Sequence, residues 1–423
     1  MPDSKTLLMC VSVAFAYFIW GVCNAILAPF FPIEAELKGA TISQSGFVFG
    51  IYSLVGFIFS PLVGKYGTKM SQTYLYNLGA FIQSFCTLSF GFLHYINDVN
   101  LFLILAYTLR ILLGIANAAS FVSLLAVLMT LYPNKVAKIV AATELFFGIG
   151  YMLGPALGGL VYSAGGFLLP FLVSGLVSLL VAILLVFAIP NVRPPQKDKN
   201  VNNGSRGTLA MIKIPSVNIP LMGTFVAYFG FSMVEAMVVF HLKTMDATTN
   251  LITSGFFISG GCCMLGTIVA GHVNDIIAYP TSISIIGNTI LVIAFTTIGP
   301  LPFIPIQANV SIVVVSLAVI GLGKGLVCIS AFKRAHDAAI HNSFPDDTST
   351  CSLLSGLWSS LDFLGCFLGP SIGGILVEMY TFRWATVLYW IFQLLILIGD
   401  SFDLYFNIKT KKYIKIEDTT IQR

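Results

Sequence analysis

Twelve apolar stretches, each long enough to cross a bilayer as a helix, limit what this chain can fold into more than any other feature of its sequence. A hydrocarbon core of about 30 Å takes about 20 helical residues. The stretches run Leu7–Phe31, Gln44–Val63, Thr73–Leu93, Leu101–Met129, Ala141–Val161, Phe167–Ile189, Ile219–Phe240, Ile252–Gly271, Thr281–Pro300, Ser311–Ala331, Ser352–Val377 and Ala385–Leu404. Prolines and glycines inside them are tolerated, because neighbouring helices satisfy the freed backbone groups. Only 9% of the 423 residues are charged. A soluble domain carries roughly 25%, so water could not solvate a body of this size. That balance excludes a soluble enzyme, a disordered chain and a nucleic-acid binder. The expected fold is an all-α membrane protein of twelve transmembrane helices in two six-helix bundles.

Lysine and arginine decide which side each loop faces, since cytoplasmic loops keep positive charge. One side holds Lys5, Lys65, Lys69, Lys135, Lys138, Arg193, Lys197, Lys199, Arg206, Lys213, Lys333, Arg334, Lys409, Lys411, Lys412, Lys415 and Arg423. The other holds only Lys38, Lys243 and Arg383. Both termini are therefore expected in the cytoplasm. Residues 191–218, rich in Pro, Asn and Gly, read as a flexible linker. It separates an N-terminal bundle, 1–190, from a C-terminal bundle, 219–406, with 407–423 as a tail. Met1–Lys5 lead into the first stretch without a small-residue cleavage site, so that stretch is expected to be retained. The eight cysteines fall mostly in apolar runs and are expected to pack as thiols, without disulfides or a metal.

An internal repeat supports the division. Gly150, Gly154, Pro155 and Gly158 in the fifth stretch recur 215 residues later as Gly365, Gly369, Pro370 and Gly373 in the eleventh, both within GxxxGPxxGG. Glycines four apart form a flat ridge that lets another helix approach closely. The ridge serves either as fixed packing or as a seam on which the halves slide.

These features resemble the major facilitator superfamily. The GxxxGPxxGG element is similar to that family's antiporter motif. Ser60-Pro-Leu-Val-Gly-Lys-Tyr-Gly-Thr-Lys69 resembles its loop between helices 2 and 3, with Gly64 where aspartate is usual, and the equivalent later loop keeps Asp275. Arg110 followed by Gly114 resembles its RxxxG element. Within the superfamily the resemblance is to the vesicular amine transporters, the polyamine branch in particular. It is carried by Ala28-Pro-Phe-Phe-Pro-Ile-Glu-Ala-Glu36, by Glu144 to Gly150 with the glycines that follow, and by Ser355-Gly-Leu357. The resemblance implies exchange of a cytoplasmic organic cation for lumenal protons in acidic vesicles. Trp20, Met233 and Ser359 stand where monoamine-type members carry acids, which argues against monoamines and acetylcholine.

Charge in hydrocarbon is costly and so tends to face a bundle interior. The candidates taken from within the stretches are Arg110, Glu144, Glu235, Lys324 and Asp362. Glu235 and Asp362, among apolar neighbours, are expected to bind a proton or a cation in turn. Glu144 and Arg110 are expected to gate or support, because arginine keeps its proton. Lys324 is expected to repel a cation, to neutralise Asp362, or only to snorkel to the cytoplasmic face. Aromatic faces attract ammonium groups, which makes Tyr17, Trp20, Tyr228, Phe231 and Trp358 binding candidates, with Asn24 as a polar ligand. No P-loop, HExxH or GxSxG motif occurs, so a gradient is expected to supply the energy. The expected partners are protons, a small organic solute and lipid, for a protein working as a monomer without a cofactor.

Overall fold

The computed structural model describes residues 4–66, 71–132, 136–190, 208–277, 280–305, 309–345 and 348–421. Among them are fourteen α-helices and no strand: α1 Ser4–Ala25, α2 Leu27–Leu37, α3 Ile42–Tyr66, α4 Gln72–Phe92, α5 Val99–Leu131, α6 Val136–Gly165, α7 Leu168–Ala188, α8 Thr208–Ile212, α9 Pro215–Lys243, α10 Thr249–Ile276, α11 Thr281–Ile298, α12 Val310–His341, α13 Thr348–Met379 and α14 Phe382–Ile421. α8 is a five-residue piece. α1 and α2 are one rod interrupted at Ile26. Pro29 explains the interruption, because it cannot donate to the Ala25 carbonyl and its ring crowds that group. Twelve long rods remain, one for each apolar stretch.

Eleven of the twelve are apolar enough to be spans by hydropathy and length. The other, α4, is a helix of 21 residues whose polar side chains face inward. Gln83, Ser84 and Thr87 are buried, while Tyr74, Leu78, Phe85 and Phe92 are exposed along one face. The Ser84 hydroxyl meets that of Ser178 at 2.9 Å, and the Tyr76 hydroxyl donates to the Leu185 carbonyl at 2.9 Å. The polar residues bond to α7, to Ser120 of α5 and to α4 itself rather than to solvent, which lowers the hydropathy without making a loop. Across the molecule Leu160, Leu180, Phe187, Ile104 and Phe303 stand outward and exposed, a surface suited to lipid. This is a multi-pass membrane protein.

The chain divides into two compact units. Unit one comprises 1–202, 232–261 and 366–382, and unit two comprises 203–231, 262–365 and 383–423. In unit one the motif glycines of α6 carry α1. A Cβ at Gly150 would strike the Phe18 carbonyl, one at Gly154 would lie 3.1 Å from Ala25 Cβ, and one at Gly158 would lie 2.7 Å from Ile26 Cγ1. In unit two Gly365 of α13 does the same to α9, with a Cβ falling 2.9 Å from the Phe225 carbonyl oxygen. The first glycine of each copy thus seats its helix on another of the same unit, Gly150 on α1 and Gly365 on α9. Gly150→Ala is expected to lower stability by about 1–3 kcal/mol, the range for forcing extra volume into a packed site. Thermal melting in detergent measures it.

Candidate functional site

α9 brings Glu235 against α6 in unit one. The Tyr151 hydroxyl, one residue beyond Gly150, donates to Glu235 Oε1 in a partly buried setting. The glycines at 150 and 154 seat α6 deeply on α1, which holds Tyr151 in place between them. Arg110 of α5 lies near enough for its charge to act on Glu235. Its guanidinium is anchored on α3: Nε donates to the Val48 carbonyl at 3.1 Å, and the group stacks 4.4 Å from the centre of the Tyr52 ring. Arg110 is 7% exposed, so its charge acts through a medium that screens weakly. Asn24 of α1 lies beside Tyr52 and donates through Nδ2 to the Trp20 carbonyl at 2.8 Å. Acid, phenol, guanidinium and carboxamide therefore share one polar region lined by α1, α3, α5, α6 and α9.

Tyr17 and Trp20 lie elsewhere in the same unit. Both are fully buried in a hydrophobic cluster with Tyr76, Leu124 and Leu185, and Tyr17 meets Phe121 edge-on with centroids 5.0 Å apart. At one end of unit one, polar contacts tie helix ends together. Lys243 Nζ at the end of α9 sits 2.8 Å from Glu36 Oε2, and the Ser43 amide at the start of α3 donates to Glu378 Oε2 of α13 at 2.8 Å. Glu34, buried, meets His94 Nδ1 at 2.9 Å. The Pro-Phe-Phe-Pro-Ile-Glu-Ala-Glu element singled out in the sequence is the part of α2 that presents both acids.

In unit two Lys324 Nζ lies 4.1 Å from the centre of the Tyr228 ring and 3.9 Å from that of Phe231. Trp358 meets Tyr228 edge-on with centroids 6.0 Å apart. Asp362 is half-buried on α13, and its charge and that of Lys324 both reach Cys328. The side chains of Glu144 and Asp275 lie outside the described residues, as do much of the linker and residues 67–70.

Two groups escaped the sequence reading. Tyr151 lies inside the glycine motif, between Gly150 and Gly154, where the spacing signals only helix packing. The other is a buried charge cluster in unit two. Arg334, counted above with the loops, lies inside α12, which runs ten residues past the expected Ala331. It donates to Asp400 Oδ1 at 2.7 Å and to Asp403 Oδ2 at 3.0 Å, both on α14. The Ser284 hydroxyl at 2.6 Å and Asn288 Nδ2 at 2.9 Å donate to the other oxygen of Asp400. Two acids three residues apart in the last apolar stretch were the available signal.

The chain is similar to the human MFS-type transporter SLC18B1, 28% identical over 372 residues that cover 87% of this chain and 79% of that protein. It is also similar to the mouse vesicular acetylcholine transporter, 27% identical over 168 residues covering 39% and 29% of the two chains. The fold matches the crystal structure of a bacterial homologue of the human lysosomal transporter Spinster in an inward-facing, unoccupied conformation. That match has a TM-score of 0.74 at 13% identity and covers 95% and 97% of the two chains. The fold and the relatives are those of transporters rather than enzymes. Residues 13–343 match the Major Facilitator Superfamily, and the chain belongs to that family.

Proposed function

We propose that this transporter exchanges protons for an organic cation, such as a polyamine or another amine, across a vesicle membrane. The observation that carries the reading is the bond from Tyr151 to Glu235, a carboxyl held on a phenol within range of a fixed guanidinium charge. A carboxylate there binds an ammonium, and its protonated form releases it. Protons from an acidic lumen load Glu235 and expel the amine, and opening to the cytoplasm returns the proton and admits the next cation. Residues 1–190 and 219–406 are the two halves that alternate. The termini lie in the cytoplasm, and the contacts of Lys243 with Glu36 and of Glu378 with Ser43 hold the lumenal end shut. The similarity to SLC18B1 and to a vesicular transporter supports the vesicular setting.

Proteoliposomes with an acid interior are expected to accumulate labelled amine and to stop when the pH gradient is collapsed. Uptake indifferent to the gradient would remove the coupling. Lys324, a cation inside a predicted span, is the observation that favours a second reading, transport of an anionic solute. Competition by carboxylates rather than by amines would select it.

The latch at the lumenal end is partly exposed, with side-chain exposures of 30% for Lys243 and 53% for Glu36. Such pairs contribute about 0.2–1 kcal/mol. Glu36→Gln is therefore expected to raise labelling of a cysteine placed at Ser371, a buried position on α13 two helical turns before Glu378, by no more than about fivefold. Maleimide labelling rates measure it.

A further inference from the structure

We propose that the ring faces of Tyr228 and Phe231 form a subsite for a linear primary ammonium, and that Lys324 is its tethered occupant, displaced when a substrate ammonium enters. The proposal rests on the organic-cation reading above and gives that cation a place in unit two.

Three consecutive residues of α12, Gly323, Lys324 and Gly325, set the direction of the lysine. With 3.6 residues per turn, their side-chain directions are about 100° apart, so they face three ways. A Cβ at Gly323 would lie 2.8 Å from Leu291 Cγ on α11. A Cβ at Gly325 would strike the Cys263 carbonyl and lie 2.7 Å from the Thr267 nitrogen, both on α10. Two helices therefore press directly on the backbone on either flank, and the side chain between them is directed at α9. There the ammonium rests on both rings, 4.1 and 3.9 Å from their centres. Tyr228 and Phe231 are three residues apart and share one face of α9. Trp358 abuts Tyr228 edge-on at an interplanar angle of 82° and Phe332 at 90°, which fixes the outer wall.

These are contact distances for a cation on a π-face, and Lys324, Tyr228 and Phe231 are each half-buried. The lysine side chain is an unbranched alkyl chain ending in a primary ammonium. A cage that accepts it accepts the end of any linear alkylamine, and two such cations exclude each other. Phe231 precedes Glu235 by one helical turn, so the subsite and the proposed exchange carboxyl sit on the same helix.

Equilibrium binding of radiolabelled spermidine to the purified full chain tests the proposal, with glutarate as an anionic probe. Lys324→Leu removes the occupant and is expected to tighten spermidine binding about tenfold, on the scale of a desolvated cation–π contact. Adding Phe231→Leu is expected to take that gain back. Lys324→Gln is expected to act with the same sign and serves if the leucine variant does not fold. Spermidine binding that is unchanged or weaker in a Lys324 variant melting like the parent protein would overturn the proposal. So would glutarate binding that the same variant abolishes, because the lysine would then be an anion receptor. Binding that responds as expected, together with no proton-driven uptake, would remove the antiport reading and leave the subsite standing.

Discussion

Glu235→Gln is expected to reduce amine accumulation in acid-loaded proteoliposomes by about ten- to a hundredfold. Glutamine keeps the shape and an acceptor for the Tyr151 hydroxyl, so the contact between α6 and α9 survives. It loses the negative charge, and a hydrogen-bonded charge interaction is worth about 1.5–3 kcal/mol, which converts to that range of rates or affinities. Glutamine also cannot take up and release a proton, so the step that couples amine to the gradient is missing even when some amine binds. The two losses separate experimentally. Amine–amine exchange at equal pH does not need the proton and is expected to fall less than net uptake driven by the gradient. Tyr151→Phe removes the donor and leaves the acid, so its net uptake is expected to fall by less than tenfold, with the pH dependence displaced. If Glu235→Gln retained full gradient-driven uptake, the proton would have to travel on another group and the proposed site would be wrong.

The helices were legible because a bilayer leaves few options. Each crossing must satisfy its own backbone, so length and apolarity betray it. Even α4, too polar by hydropathy alone to count as a span, shows itself once its polar residues are seen to fall on one face. The glycine repeat was legible as close packing because a missing Cβ has one steric meaning. Partnership was the hidden quantity. Glu235 stood out as an acid among apolar residues, but nothing in the spacing linked it to Tyr151, which lies 84 residues away. Arg110 was legible as a charge needing company, while its anchors proved to be carbonyls of α3, which every sequence possesses. Aromatic residues were the least readable. Tyr17 and Trp20 are packed in a core cluster, whereas Tyr228 faces an ammonium, and composition treats the three alike. Arg334 was misread for the opposite reason. A basic pair just past an apolar run looks like a cytoplasmic loop, and only the acids of α14 make it part of a helix interior.

That arginine carries the largest stability prediction. Arg334 is 8% exposed and Asp400 is 2% exposed. The pair joins α12 to α14, and Ser284 and Asn288 extend it to α11. Arg334→Met leaves the Asp400 carboxylate buried with two neutral donors and no positive charge. Breaking a buried pair in this way costs about 3–5 kcal/mol. Asp403, on the same helix and 33% exposed, can turn to solvent, so the burden falls on Asp400. Arg334→Met combined with Asp400→Leu removes both charges, and an apolar pair of similar volume is often as stable as the ion pair it replaces. The double variant is therefore expected to melt closer to the parent than Arg334→Met does, a non-additivity that only directly coupled residues show. Melting followed by size-exclusion chromatography in detergent gives the order. If the single variant melted like the parent, or the double variant melted lowest, the pair would not be what holds α12. The consequence reaches function, because α12 also carries Lys324. A helix loosened at Arg334 would no longer hold that ammonium against Tyr228 and Phe231, so Arg334→Met is expected to tighten spermidine binding in the protein that stays folded while lowering fold stability, and the double variant to reverse both.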